Sequence, residues 1–332
     1  MCWLGAARES KDPKGDKKMP RLGKVSGEVK GRLDFLEQCN FRQGAQGVGV
    51  QVIKDSEIWY VDGLKTGPEA SGNGSSWKEA FLTLTEAVAA AGDYDVIYVG
   101  PGYYSEAAVI DIDQHGLKIF GTGNGAQWGP CGFGSATSED TILTINANRV
   151  EIAGLAFWCL TDAKNGIEIG TTYDSWNTWI HDCAFGTGVG GNTLGEYGIK
   201  VNETEDCANT LIENNYFNYL STAAIVVNAT RCTIRNNIIW SSAIGIDCEL
   251  TGDTRANCAI LNNYIIGRGT EVSGDIGIKL NATEATDGTI LIANNIVTNF
   301  STNITATKSI LSIVNNQTAA DATSYLQVDT SP

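Results

Sequence analysis

From Arg149 onward the chain repeats one phrase of alternating apolar and polar residues. Its copies are RVEIAGLAFW from Arg149, NTWIHDCAFG from Asn177, NTLIENNYFN from Asn209, RCTIRNNIIW from Arg231, NCAILNNYII from Asn257, GTILIANNIV from Gly288 and ILSIVNNQT from Ile310. Aligned, they place Ile152, Ile180, Ile212, Ile234, Ile260, Ile292 and Ile313 in one column, at spacings of 28, 32, 22, 26, 32 and 21 residues. A second phrase sits inside each repeat: GIEIG at Gly166, GIKVN at Gly198, AIVVN at Ala224, GIDCE at Gly245, GIKLN at Gly277 and NITAT at Asn303. A period of two with one apolar face is that of a half-buried strand. No helix-period segment separates the phrases, so a doubly wound sheet with crossover helices is excluded. Strands that recur every 21 to 32 residues, with spacings that differ by whole loops, wind instead as a stacked solenoid, a parallel β-helix.

Asn-Asn pairs sharpen this prediction. Asn214-Asn215, Asn236-Asn237, Asn262-Asn263, Asn294-Asn295 and Asn315-Asn316 each follow the anchor isoleucine by two and three positions. Asparagine tolerates the left-handed backbone of a tight corner. Rungs stacked ~4.8 Å apart let side-chain amides bond from coil to coil, so Asn215, Asn237, Asn263, Asn295 and Asn316 are expected to form a ladder. The first two repeats carry Gly154-Leu155 and Asp182-Cys183 instead, so the ladder should begin at the third. Outward positions of the second phrase (Glu168, Lys200, Val226, Asp247, Lys279) and the Glu213/Arg235 neighbours read as solvated surface charge, each pair worth ~0.2–1 kcal/mol.

Composition adds an asymmetry. The 332 residues carry a net charge of −15, yet residues 1–32 hold nine Lys/Arg against four Asp/Glu, leaving about −20 on the remainder (14 minus 34). A basic arm on an acidic body suits docking on an acidic partner, through Lys11, Lys14, Lys17, Lys18, Arg21 and Lys24. The acidic body argues against nucleic acid as a partner. No apolar run is long enough to span a membrane, and the first residues lack the apolar core of a signal peptide. Met19 is an alternative start. Nine cysteines are present, without CxxC or Cys/His spacing; Cys232, Cys248 and Cys258 should point inward as small hydrophobes. A Cys232–Cys258 disulfide is geometrically conceivable but disfavoured without export. No metal or cofactor is expected.

The chain divides into an N-terminal arm (1–57), a β-helix (58–320) and a C-terminal tail (321–332). Within the arm, Glu28–Cys39 suits a short helix, and Val48, Val50 and Val52 a strand. A capping helix is predicted over 77–91, with Phe81, Leu84, Val88 and Ala91 on one side, Ser75 or Ser76 as N-cap and Gly92 as stop. It would cover the strand edges left bare at the end of a solenoid.

Three segments, WYVDG at 59–63, GSSWKEAF at 74–81 and DVIYVGPGYYSE at 95–106, resemble the opening segment of pectate-lyase-like right-handed β-helix proteins, a group that includes phage spikes and polysaccharide lyases. The resemblance covers about residues 58–320 and implies a right-handed parallel β-helix, all-β apart from its cap. It is specific for fold and poor for function. It implies two sets of catalytic tools: Lys or Arg beside a carboxylate cluster holding Ca²⁺ in lyases, or paired carboxylates in hydrolases. Neither stands out. Glu168 and Asp247 are separated by two coils, ~14 Å of stack at the strand spacing, and Asp111 and Asp113 alternate with Ile110 and Ile112 on an exposed strand. His181 follows an anchor isoleucine and should face outward; His115 is the other of only two histidines. Asn202, Asn228, Asn281 and Asn303 each head an Asn-x-Thr tripeptide and read as repeat turns. Two Gly-rich loops, 186–198 and 267–277, leave the tube at one corner.

The expectation is therefore a non-enzymatic structural virion protein of a tailed phage, a capsid decoration or spike protein or, less favoured, a tail spike, assembled in the host cytoplasm and bound to other virion proteins (capsid or tail) through the arm. The competing readings are a polysaccharide lyase or depolymerase and an adhesin for cell-surface glycan. A homo-oligomer such as a trimer enters here, because subunit interfaces can assemble a site that one chain hides.

Overall fold

A computed structural model describes residues 56–64, 72–122, 131–135, 141–159, 165–186, 195–202, 207–250, 255–268, 274–281, 287–306, 311–318 and 327–328. The chain divides into two units, Met1–Arg42 and Gln43–Pro332. The first lies wholly outside the described residues, and with it the six basic arm positions and the Glu28–Cys39 helix. The Val48–Val52 strand and the interiors of both Gly-rich loops (187–194 and 269–273) also lie outside them.

The described strands form three parallel sheets, and each coil contributes one strand to each sheet. Sheet I has ten strands, from Ile58–Val61 to Leu311–Val314, and contains the column Ile119, Ile152, Ile180, Ile212, Ile234, Ile260, Ile292, Ile313 in direct register. Sheet III has nine and carries the second anchors, with Ile167, Ile199, Ile225, Ile246, Ile278 and Ile304 aligned. Sheet II, also of nine strands, comes from the second half of the first phrase, beyond the asparagine corner. Each first phrase thus makes two strands (Leu211–Glu213 and Tyr216–Asn218, for example). Gln327–Val328, in the stretch read as a tail, pairs with Thr305–Ala306 at the end of sheet III.

The corner follows from asparagine chemistry. Asn214, Asn236, Asn262, Asn294 and Asn315 have φ of 54–57°, left-handed values that cost most other L-residues ~1–2 kcal/mol. A second corner leads into sheet I, where Arg149, Asn177, Asn209 and Arg231, each opening a phrase, have φ of 57–63°. The partner in each pair points inward and bonds along the stack. Asn237 Oδ1 accepts from Asn215 N (3.0 Å) and Nδ2 (3.2 Å). Asn263 and Asn295 repeat this with the rung before them, and Asn316 with Asn295. Each Nδ2 also donates to an anchor carbonyl, as Asn237 does to Ile212 (3.0 Å). The ladder starts where Cys183 N donates to Asn215 Oδ1 (2.9 Å).

Inside the tube, sheet II contributes a stack of rings: Tyr104, Phe133, Phe157, Phe185 and Phe217, with centroids 4.8, 6.1, 5.0 and 4.9 Å apart. The stack explains the glycine that opens the second phrase. A Cβ on Gly166 would sit 2.6 Å from the Phe185 ring, and one on Gly198 2.6 Å from Phe217. Cys232, Cys248 and Cys258 are buried and form no disulfide; contact with Cys258 and burial push the Cys232 thiol up.

The capping helix is shorter than predicted, Leu84–Ala90. Residues before it turn to the sheet: Phe81 N donates to Tyr60 O (2.9 Å) and Asp62 N to Phe81 O (2.8 Å). The helix starts at Thr83, whose hydroxyl accepts from Glu86 N while Glu86 reaches back to Thr83 N. Leu84, Ala87 and Val88 close the end of the core.

Candidate functional site

Corners between sheets III and I carry a polar depression of about 580 Å³, lined by Asp113, His115, Asn146, Asn148, Tyr173 and Asp174. Three successive coils build it. Asp113 and His115 follow the strand Ile110–Ile112, Asn146 and Asn148 follow Thr141–Ile145, and Tyr173 and Asp174 follow Asn165–Ile169.

Side-chain bonds hold its floor. Asp111 Oδ1 accepts from Thr144 Oγ1 (2.6 Å) and Asn146 Nδ2 (2.8 Å). Asn146 Oδ1 accepts from Thr171 N, Thr171 Oγ1 and Thr172 N (3.0, 2.9 and 2.9 Å), which fixes the loop carrying Tyr173. Asn148 N donates to His115 Nδ1 (3.0 Å), so the neutral imidazole carries its proton on Nε2. Burial, reinforced by Asp111, raises the Asp113 pKa. The ring of Tyr173 is 63% exposed. The site therefore offers two carboxyl groups, an imidazole, two anchored amides and an aromatic face. Among the described residues neither Lys nor Arg lines it.

In the sequence Asp113 reads as part of an exposed strand face and His115 only as one of two histidines; the other four members carry no individual signal of a site. The one signal was the aromatic-rich GTTYDSWN between the second phrase at Gly166 and the first phrase at Asn177.

Elsewhere the outward carboxylates are paired. On sheet I, Lys118 Nζ meets Glu151 (2.6 Å), Glu151 meets His181 Nε2 (3.3 Å), and Asp182 meets His181 Nδ1 (2.7 Å). Trp179 stacks on His181 at 4.1 Å and donates from Nε1 to Glu213 (3.0 Å), which also binds Arg235 (2.6 Å). On sheet III, Lys200 pairs with Glu168 (3.3 Å) and Lys279 with Asp247 (2.9 Å) and Glu249 (2.8 Å). Two expectations need correction. Glu213 and Asp247 are buried rather than solvated, because long side chains on neighbouring rungs lie over them. His181 is not a free surface imidazole; its side chain is only 14% exposed. Burial lowers its pKa, but hydrogen bonds to Glu151 and Asp182 outweigh this and leave it raised. Burial dominates at Asp247, whose pKa is raised despite Lys279. Among the described residues no group of three or more His, Cys, Asp or Glu could hold a metal ion.

Comparison with solved structures identifies the class. The chain is similar to a rhamnogalacturonan lyase (12% identity, TM-score 0.56, covering 78% of this chain and 73% of that one) and to the pectate lyase Pel9A (13%, 0.51, 85% and 78%). It is also similar to a tailspike protein of E. coli bacteriophage HK620 (11%, 0.46, 73% and 54%). At such identities the likeness establishes a fold, the right-handed parallel β-helix of pectate-lyase-like proteins, and says nothing of activity. No family model matches the chain, and no curated protein does.

Proposed function

We propose that this protein is a non-enzymatic surface component of a tailed-phage virion, a spike or decoration protein held through its basic arm, whose β-helix contacts a neutral, hydroxyl-rich glycan at the Asp113–Asp174 depression. The observation that carries the glycan contact is the composition of that depression. An exposed tyrosine face stands among fixed amides and carboxyl groups, which suits sugar hydroxyls and an apolar ring face. Two aspartates, with no Lys or Arg among the described lining residues, disfavour a polyuronate chain. Attachment rests on the +5 leader and the −20 body. A glycan array read with the native protein and with Tyr173→Ala tests the contact: binding to neutral glycans that is lost in the variant is expected, and identical profiles would end the reading. Deleting residues 1–50 should abolish particle incorporation; unchanged incorporation would remove the virion role.

A second reading has one observation in its favour. Asp113 keeps its proton to higher pH than an ordinary aspartate and shares the depression with Asp174, and two carboxyl groups are the residue types that glycoside hydrolases use. New reducing ends from neutral polysaccharide, abolished by Asp113→Asn, would decide for that reading.

A further inference from the structure

We infer that the outer face of sheet II is a contact surface for a second copy of this chain. The three outer faces differ in one respect. Sheets I and III are laced with ion pairs. The sheet II strands from Cys131–Ser135 to Gln317–Thr318 contain no charged residue. Their outward columns run in register through Tyr216, Ile238, Tyr264 and Ile296, and alongside through Trp240 and Ile266. Alternation buries Phe217, Ile239, Ile265 and Val297 behind them and turns these six to the outside. Ile238, Trp240, Tyr264 and Ile296 are 46, 46, 44 and 37% exposed on adjacent rungs.

Chemistry selects the occupant. Three of the six positions are isoleucines, which offer a sugar neither a stacking plane nor a hydrogen bond, so a glycan is a poor fit. An uncharged face also gives a differently charged protein nothing to select. The body of this chain carries about −20, and two such bodies repel wherever their acidic faces meet. Among the described faces, sheet II is the one a second copy can approach without opposing like charges. The area is sufficient: the six side chains expose roughly 500 Å², at the upper end for a monomer's largest apolar patch, and two copies bury about 1,000 Å², the lower bound for a specific interface. Trp240 and Tyr264, on adjacent rungs, are the residue types that dominate such contacts.

Sedimentation equilibrium of the full chain over rising concentration tests this. A mass at a multiple of 35.4 kDa is expected, falling to the single-chain value in Ile238→Lys and Tyr264→Glu with melting temperature unchanged, while Val226→Lys on the outer face of sheet III stays associated. If the charged variants fail to fold, Trp240→Ala, which removes area without adding charge, should weaken association at least tenfold. A native chain that remains single throughout, or an assembly indifferent to all three sheet II variants, overturns the inference. So does a single chain that associates only after residues 1–50 are removed, which would make the arm the occupant. Loss of glycan binding in these variants, with no change in mass, would assign the face to a glycan instead. The result is independent of the Tyr173 array.

Discussion

Asn237 is the most informative residue to remove. It is 1% exposed, and its side chain makes four bonds: Oδ1 accepts from Asn215 N and Asn215 Nδ2, and Nδ2 donates to Ile212 O and Asn263 Oδ1. Truncation to alanine leaves the buried Asn215 N–H without this acceptor, a cost of about 1–3 kcal/mol, and forfeits the other three bonds at about 0.5–1.5 kcal/mol each. The expected loss is therefore about 2.5–7.5 kcal/mol, the upper part reached only if the corner cannot relax. Asn316 occupies the same column at its last rung, where it is half-buried and has no following asparagine. Water can replace its partners, so Asn316→Ala should cost about 1 kcal/mol. Urea denaturation of both variants, with the slope checked for unchanged exposed surface, gives the comparison. Equal midpoints for the two would refute the idea that the column works as a buried chain of amides rather than a row of turn residues.

The neighbouring residue separates side-chain bonding from backbone conformation. Asn236 has φ 57°, so Asn236→Gly should be close to neutral and Asn236→Val should lose at least ~1–2 kcal/mol, read from the same urea curves. A pH series of melting temperature tests the sheet I cluster. His181 gains its partners on folding and has a raised pKa, so its contribution is full below its ordinary value of 6.5 and lost as pH rises through the folded value. Glu151 is lowered: burial raises it, but His181 and Lys118 override this. Its contribution is present above its ordinary 4.5 and lost as pH falls through the folded value. Stability from the cluster should be greatest between about 4.5 and 6.5, and His181→Asn should remove the decline on the alkaline side. Asn303 is 1% exposed, and neither amide atom has a partner among the described residues. Ala224 fills the corresponding position of an earlier coil, so Asn303→Ala should raise stability by about 1–3 kcal/mol, seen as a higher urea midpoint.

Much of the tube was legible in the residue order because its determinants are local and periodic. Apolar alternation set the two anchor columns. The Asn pair marked the corner, since few other residues accept its backbone angles while bonding to the next rung. The break at Asp182-Cys183 placed the start of the ladder. Three features escaped. A single phrase makes two strands of different sheets, because a one-residue left-handed corner leaves the apolar alternation almost uninterrupted. The helix lost its first seven residues, about two turns, because Phe81 found strand partners at Tyr60 and Asp62, more than 18 positions upstream. The Asp113–Asp174 depression left one trace in the sequence, the aromatic-rich GTTYDSWN segment, and its assembly none. Its members come from three coils, and only the winding brings residues 113, 146 and 174 to one corner. Exposure was decided in the same way. Glu213, Asp247 and His181 occupy outward positions, but neighbours one rung away determine whether an outward side chain meets water. Sequence thus fixes what repeats along the axis, and the stacked coils decide what meets across it, since those contacts depend on loop lengths that no local pattern encodes.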